Sequence, residues 1–179
     1  MLDKLRKAFR TKDIPALKRL SNQAIERAAM TEDRYLVNIS LIAYAFSKLL
    51  SKQHILESDE WERFVEDVDS DLEEAMKMKE EDKPLEGILE KDIIRDISQI
   101  DASLGNYVLD LIAKARVKQA SRIYAMGLSL DKAISLTHAD RFQLLSYIGS
   151  TVIHDRPFTR TKSVAERYKA TKKILEVEE

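Results

Sequence analysis

Ten of the eighteen residues from Glu57 to Glu74 are carboxylates, the side chains a hard divalent cation needs, so their spacing decides what they could do. Asp67, Asp69 and Asp71 imitate the opening of a calcium-binding loop, which then requires glycine at its sixth position and glutamate at its twelfth. Those positions hold Leu72 and Met78. Carboxylate-bridged di-metal bundles place Glu three residues before His. The residues three before His54, His138 and His154 are Ser51, Ser135 and Thr151. The chain carries no phosphate-cradling glycine loop and no Gly-x-Ser-x-Gly nucleophile turn. With no cysteine, disulfides, thiolate zinc sites and cysteine nucleophiles are all excluded, and a reducing compartment is implied. The expectation is a chain with no catalytic residues, no metal and no cofactor.

Two helical enzyme classes are close enough to compare. Helical magnesium pyrophosphatases resemble this composition, and they carry Glu-x-x-Glu followed a dozen or more residues later by Glu-x-x-Asp. Here Glu57/Glu60 and Glu66/Asp69 stand too close together on one helix. Helical ribonucleases of toxin pairs place Arg four to six residues before His, a spacing found before none of the three histidines. A hydrolase built on the 57–74 acids would have to bind magnesium or manganese without either pattern.

The net charge of −1 conceals a segregation along the chain. Residues 1–50 hold ten Lys/Arg against five Asp/Glu, residues 51–100 seven against seventeen, and residues 101–179 thirteen against nine. Within 111–175 there are thirteen bases and four acids (Asp131, Asp140, Asp155 and Glu166). Such asymmetry has two readings. The basic part could face solvent as a surface for a polyanion, or basic and acidic helices could pair within the fold or between copies of the chain.

Helices must position whatever site exists. Leu, Ala, Lys, Glu and Ile dominate, four glycines and three prolines leave few breaks, and no run shows the alternation of a strand. The opening MLDKLRKAFR is basic and amphipathic, with no apolar run of signal length after it. Asp13 caps a helix with Pro15 in its first turn and an apolar stripe from Leu17 to Ala29. Tyr35–Leu50 is the most apolar stretch. It is too short to span a bilayer, is interrupted by Asn38, Ser40, Ser47 and Lys48, and reads as the buried central helix of a bundle. Ser58 or Asp59 opens a helix whose apolar face runs from Trp61 to Met76. Lys77–Leu85 reads as a linker, Ile88–Ile100 as a short helix, and Ala102–Met126 as one long helix with Gly127 at its C-terminal cap. A last helix is expected from Thr161 or Ser163 to Val177, where Phe158 and Tyr168 interleave with bases. It either tracks a nucleic-acid strand or docks on the acidic helix 57–82.

One segment has a recognisable outline. Residues 128–149 read LSLDKAISLTHADRFQLLSYIG. Ser129 caps a short helix over Leu130–Leu136, Thr137-His138-Ala139 forms a break, and Asp140 caps a second helix over Arg141–Ile148. This phrase resembles the helix-turn-helix DNA-binding superfamily, as found in the short cores of prokaryotic transcription factors. The resemblance covers about twenty of the 179 residues. It implies that Ala133, Ala139, Leu144 and Tyr147 pack, and that Arg141, Gln143 and Ser146 face DNA, Arg141 forking onto a guanine. Lys114, Arg116, Lys118 and Arg122 before the segment, and Arg156, Arg160 and Lys162 after it, would then hold phosphates. The sequence departs from the pattern at His138, where the turn glycine belongs, and at Ile134, where a small residue lets the helices approach. Phe142 and Leu145 suit a protein contact better than a base edge.

The sequence therefore predicts an all-α protein. An N-terminal helical bundle over residues 1–100, able to self-associate, is joined by a long helix to a basic helix-turn-helix-like trihelical region over 101–179. The expected function is non-catalytic: a cytoplasmic regulatory or accessory protein that binds DNA or RNA and does not enter a membrane. The alternative is a protein–protein interaction or structural module, homo-oligomeric or with a protein partner, that binds no nucleic acid.

Overall fold

A computed structural model describes residues 1–85, 87–103 and 109–150. The chain is all-α. In order the elements are α1 (Leu2–Arg10), α2 (Ile14–Thr31), α3 (Arg34–Leu49), α4 (Gln53–Leu56) and α5 (Trp61–Glu80). A π-helical turn (Ile88–Ile93) runs into α6 (Ile94–Ser103), followed by α7 (Leu109–Ala125), α8 (Leu130–Thr137) and α9 (Arg141–Ser150).

The caps explain the central hairpin. Asp13 accepts a hydrogen bond from the Ala16 amide at 2.8 Å, and Pro15 stands where its missing N–H costs nothing. α2 ends at Glu32 in the left-handed conformation, and Asp33 accepts from the Tyr35 amide at 2.8 Å to open α3. A two-residue connection forces α2 and α3 to lie antiparallel. Small residues let them approach closely: Ser21 Oγ donates to the Ser40 carbonyl at 2.9 Å, and Ser40 Oγ returns the bond to the Ser21 carbonyl at 2.8 Å. Gln119 of α7 reaches the same node, its Nε2 donating to Ser21 Oγ at 3.0 Å. Asn38 escapes its apolar helix by donating to Glu90 at 3.2 Å. Buried polar groups thus set the register of three helices.

Two apolar cores use this hairpin. In the first, Phe9, Phe46, Trp61 and Phe64 form an aromatic cluster, with Phe9 and Phe46 stacked at 4.2 Å and Phe64 edge-on to both. Ile93, Ile97 and Ile112 also belong to it. The second core joins Ile25, Val37 and Leu41 to Ala120, Ile123 and Leu144. α2, α3 and α7 therefore serve both.

Three boundaries differ from the sequence reading. α5 persists to Glu80, so the expected linker begins only at Glu81, because Met76 and Met78 pack on the first core and hold the last turn down. The helix expected over Ile88–Ile100 is a π-helical turn that passes into α6 and ends at Ser103. The helix expected over Ala102–Met126 differs at its start, because Ala102 and Ser103 belong to α6; from Leu109 its described part is α7, and residues 104–108 lie outside the described residues. The helix expected at the end of the chain lies outside the described residues. Among the described residues, no helix is long and apolar enough to cross a membrane.

Candidate nucleic-acid interface

α8 and α9 are placed by three local devices. Ser129 accepts from the Lys132 amide at 3.2 Å and starts α8. α8 stops at His138, which adopts φ 54°, a left-handed conformation favouring glycine, and donates its amide to the Ile134 carbonyl at 2.8 Å. Asp140 accepts from the Gln143 amide at 2.8 Å and starts α9. Ala133, Ala139 and Leu144 are buried, and Tyr147 is half-buried against the second core. The second helix is thereby fixed with its first turn in solvent.

The residues singled out for nucleic-acid contact do not all converge. Arg141 is turned onto Asp131 of α8 by a hydrogen-bonded ion pair. Arg122 donates to the Asn22 side chain of α2. Arg116 is half-buried, its Nε without a hydrogen-bond partner among the described residues. Lys118, Gln143 and Ser146 do come together. They line a cleft of about 680 Å³ between α3, α7 and α9, with Tyr44, Lys114, Phe142 and Tyr147. Arg156, Arg160 and Lys162 lie outside the described residues.

The cleft holds residues that the sequence reading left in the core. Tyr44 is its hub: Lys118 Nζ lies 4.8 Å and Lys48 Nζ 5.6 Å from the centre of its ring. An adjoining recess of about 220 Å³ shares Tyr44 and Lys114 with the cleft and adds Lys48 and Lys52. Tyr44 and Lys48 stand four residues apart on α3, a spacing that puts both on one stripe of the helix and was the available signal; Lys52 follows in the connection to α4.

No acidic side chain lines the cleft or the recess among the described residues. Lys48 and Lys118 have no carboxylate partner among them either. Burial, and then the neighbouring charges of Arg122, Lys48 and Lys18, hold the Lys118 ammonium below its usual pKa. The phenol of Tyr44 is raised by burial and by Tyr147, against the pull of Arg122 and Lys114. Lysine side chains are concentrated here around aromatic rings.

No protein-family model, curated protein or solved structure matches the chain.

The acids of 57–74 sit elsewhere. Arg6 of α1 grips α5, donating to Asp69 at 2.7 and 2.9 Å and to Glu73 at 3.0 Å, with Arg10 at 3.7 Å from Asp69. Basic and acidic helices therefore do pair within the fold, but the pairing described here uses α1. Among the described residues, no three His, Asp or Glu side chains converge as a metal ion would require.

Two aspartates of α5, two residues apart, respond oppositely to pH. Hydrogen bonding from Arg6 holds the Asp69 carboxyl below its usual pKa, so its contribution is present above about pH 4 and lost on acidification. Asp71 is pushed from 3.8 to about 6 by burial and then by the charges of Asp96 and Asp92, which Arg95 only partly offsets. Its Oδ2 is buried without a hydrogen-bond partner among the described residues. The folded chain binds this proton more tightly than the unfolded one, so stability falls as pH rises from about 4 to about 6. Asp71→Asn is expected to raise stability at pH 7 by about 1 kcal/mol, or about 3 °C in Tm, once solvent screening is allowed for. The gain should vanish below pH 4. Calorimetry across that range checks it, and a lower Tm for the variant at pH 7 would show that the carboxylate is stabilised instead.

Proposed function

We propose that the protein is a non-catalytic nucleic-acid-binding factor of regulatory or accessory type, working in the reducing cytoplasm that a cysteine-free chain fits. Its contact surface is the cleft between α3, α7 and α9 rather than the exposed face of α9 alone. The observation that carries this reading is the pair of lysines, Lys48 and Lys118, on one tyrosine ring without a carboxylate partner among the described residues. Phosphate oxygens satisfy such ammonium groups, and Gln143 and Ser146 supply neutral donors and acceptors beside them. The helix-turn-helix-like segment contributes by placing α9 as one wall.

A labelled pool of single- and double-stranded oligonucleotides, titrated with the full chain, tests this. With four phosphate contacts the affinity should fall about 50-fold for a single strand, and about 150-fold for a duplex, between about 50 and about 200 mM salt. Absence of binding at the lower salt would end the reading. A second reading is favoured by Phe142 and Leu145, which are 80% and 47% exposed on α9. These would anchor a protein partner or a second copy of the chain, and light scattering of the purified protein separates the two cases.

A further inference from the structure

We infer that the cleft is built for single-stranded nucleic acid, with phosphates on the lysines of α3 and α7 and unstacked bases against the rings of α9. This deepens the nucleic-acid reading and rests on it. Three features select a single strand. The lysines around Tyr44 lie in a recess, whereas a duplex offers its phosphates on a rigid convex cylinder and its base edges only to an element that projects into a groove. The projecting element here, the first turn of α9, is ill equipped for that task. Its arginine is held by Asp131, and its neighbour Phe142 presents a ring that is 80% exposed. A flexible strand has no such constraint. Its bases turn out and stack on aromatic faces while its backbone follows a basic groove.

The cleft and the adjoining recess supply both halves of that arrangement. Tyr44 fixes Lys48 and Lys118 beneath the path of the backbone. Across from them Phe142 and Tyr147 offer ring surface, and Gln143 and Ser146 stand between the two rings along α9. Those two polar groups can pair with any base edge, so the expected preference among sequences is weak. A cleft of about 680 Å³ is of a size that encloses a small ligand, enough for one or two bases with the strand running out at its open end.

The experiment is fluorescence anisotropy on the full chain with a labelled twenty-nucleotide DNA, the same strand as RNA, and the same DNA as a duplex, at low salt. Either single strand should bind at least tenfold more tightly than the duplex. Phe142→Ala, at an exposed position where the fold loses nothing, should cost the single strand about tenfold and the duplex little. Equal or tighter binding of the duplex would overturn the single-strand assignment while leaving nucleic-acid binding intact. An unchanged affinity of Phe142→Ala for the single strand would overturn the stacking role in the same way. Failure of all three probes to bind would remove the inference together with the reading beneath it.

Discussion

Replacing Lys48 and Lys118 by glutamate together is expected to weaken nucleic-acid binding by about 100-fold or more at low salt, without unfolding the protein. Each substitution removes a charge-assisted phosphate contact and faces the phosphate with a like charge, at an expected cost of about 1.5 kcal/mol or more, or about tenfold each. The two act on one strand through one ring, since both ammonium groups lie within 5.6 Å of the centre of Tyr44. The double variant should cost less than the sum of the single variants if Tyr44 holds the two lysines as a unit, and the full sum if they act independently. The salt dependence should flatten as well, by about 0.7 in the slope of log affinity against log salt for each lost contact to a single strand. Lys48→Gln with Lys118→Gln gives a milder version that removes each charge without reversing it. Anisotropy titrations at several salt concentrations check all of this, with the melting temperature as a control for folding. An unchanged affinity and slope would place the ligand elsewhere.

Phe46→Ala is expected to have the largest effect on stability. The ring is fully buried, stacks at 4.2 Å on Phe9 and meets Phe64 edge-on at 6.5 Å. Truncation leaves a void where α1, α3 and α5 meet and should cost about 4 kcal/mol, or about 12 °C in Tm for a chain of this size. Phe142→Ala should change stability by less than about 0.5 kcal/mol, because that ring is already in water. The contrast separates a phenylalanine that holds the fold from one kept for contact. Calorimetry of the two variants checks it, and comparable losses would mean that Phe142 packs in solution.

Much of the fold was legible because local signals and burial agreed. Asp13-x-Pro15, Ser129 and Asp140 each marked a helix start that the structure places within a residue. The apolar spacing of Leu17–Ala29 and Trp61–Met76 named faces that are buried, or at Val65 and Met76 partly buried against the first core. Boundaries failed where tertiary packing outweighed composition: the charged Lys77–Glu80 stays helical because Met76 and Met78 are anchored. The candidate site was legible only in part, for a geometric reason. Lys118, Gln143 and Ser146 could be named from the helix-turn-helix-like outline and its flanks. Tyr44 and Lys48 could not, since their role depends on α7 and α9 closing over one edge of a helix that is otherwise core. Arg141, the most attractive contact residue in the sequence, is engaged by Asp131 ten residues earlier, a pairing that no single-helix pattern discloses.

Amide chemical-shift mapping on the isotopically labelled chain, titrated with an unlabelled single-stranded oligonucleotide, tests the cationic cleft most directly. Perturbations should centre on Tyr44, Lys48, Lys114 to Lys118 and Phe142 to Tyr147, and should leave the Arg6–Asp69 face of α1 and α5 unmoved. Shifts confined to the Arg6–Asp69 face, or to residues 151–179 with the cleft silent, would contradict it.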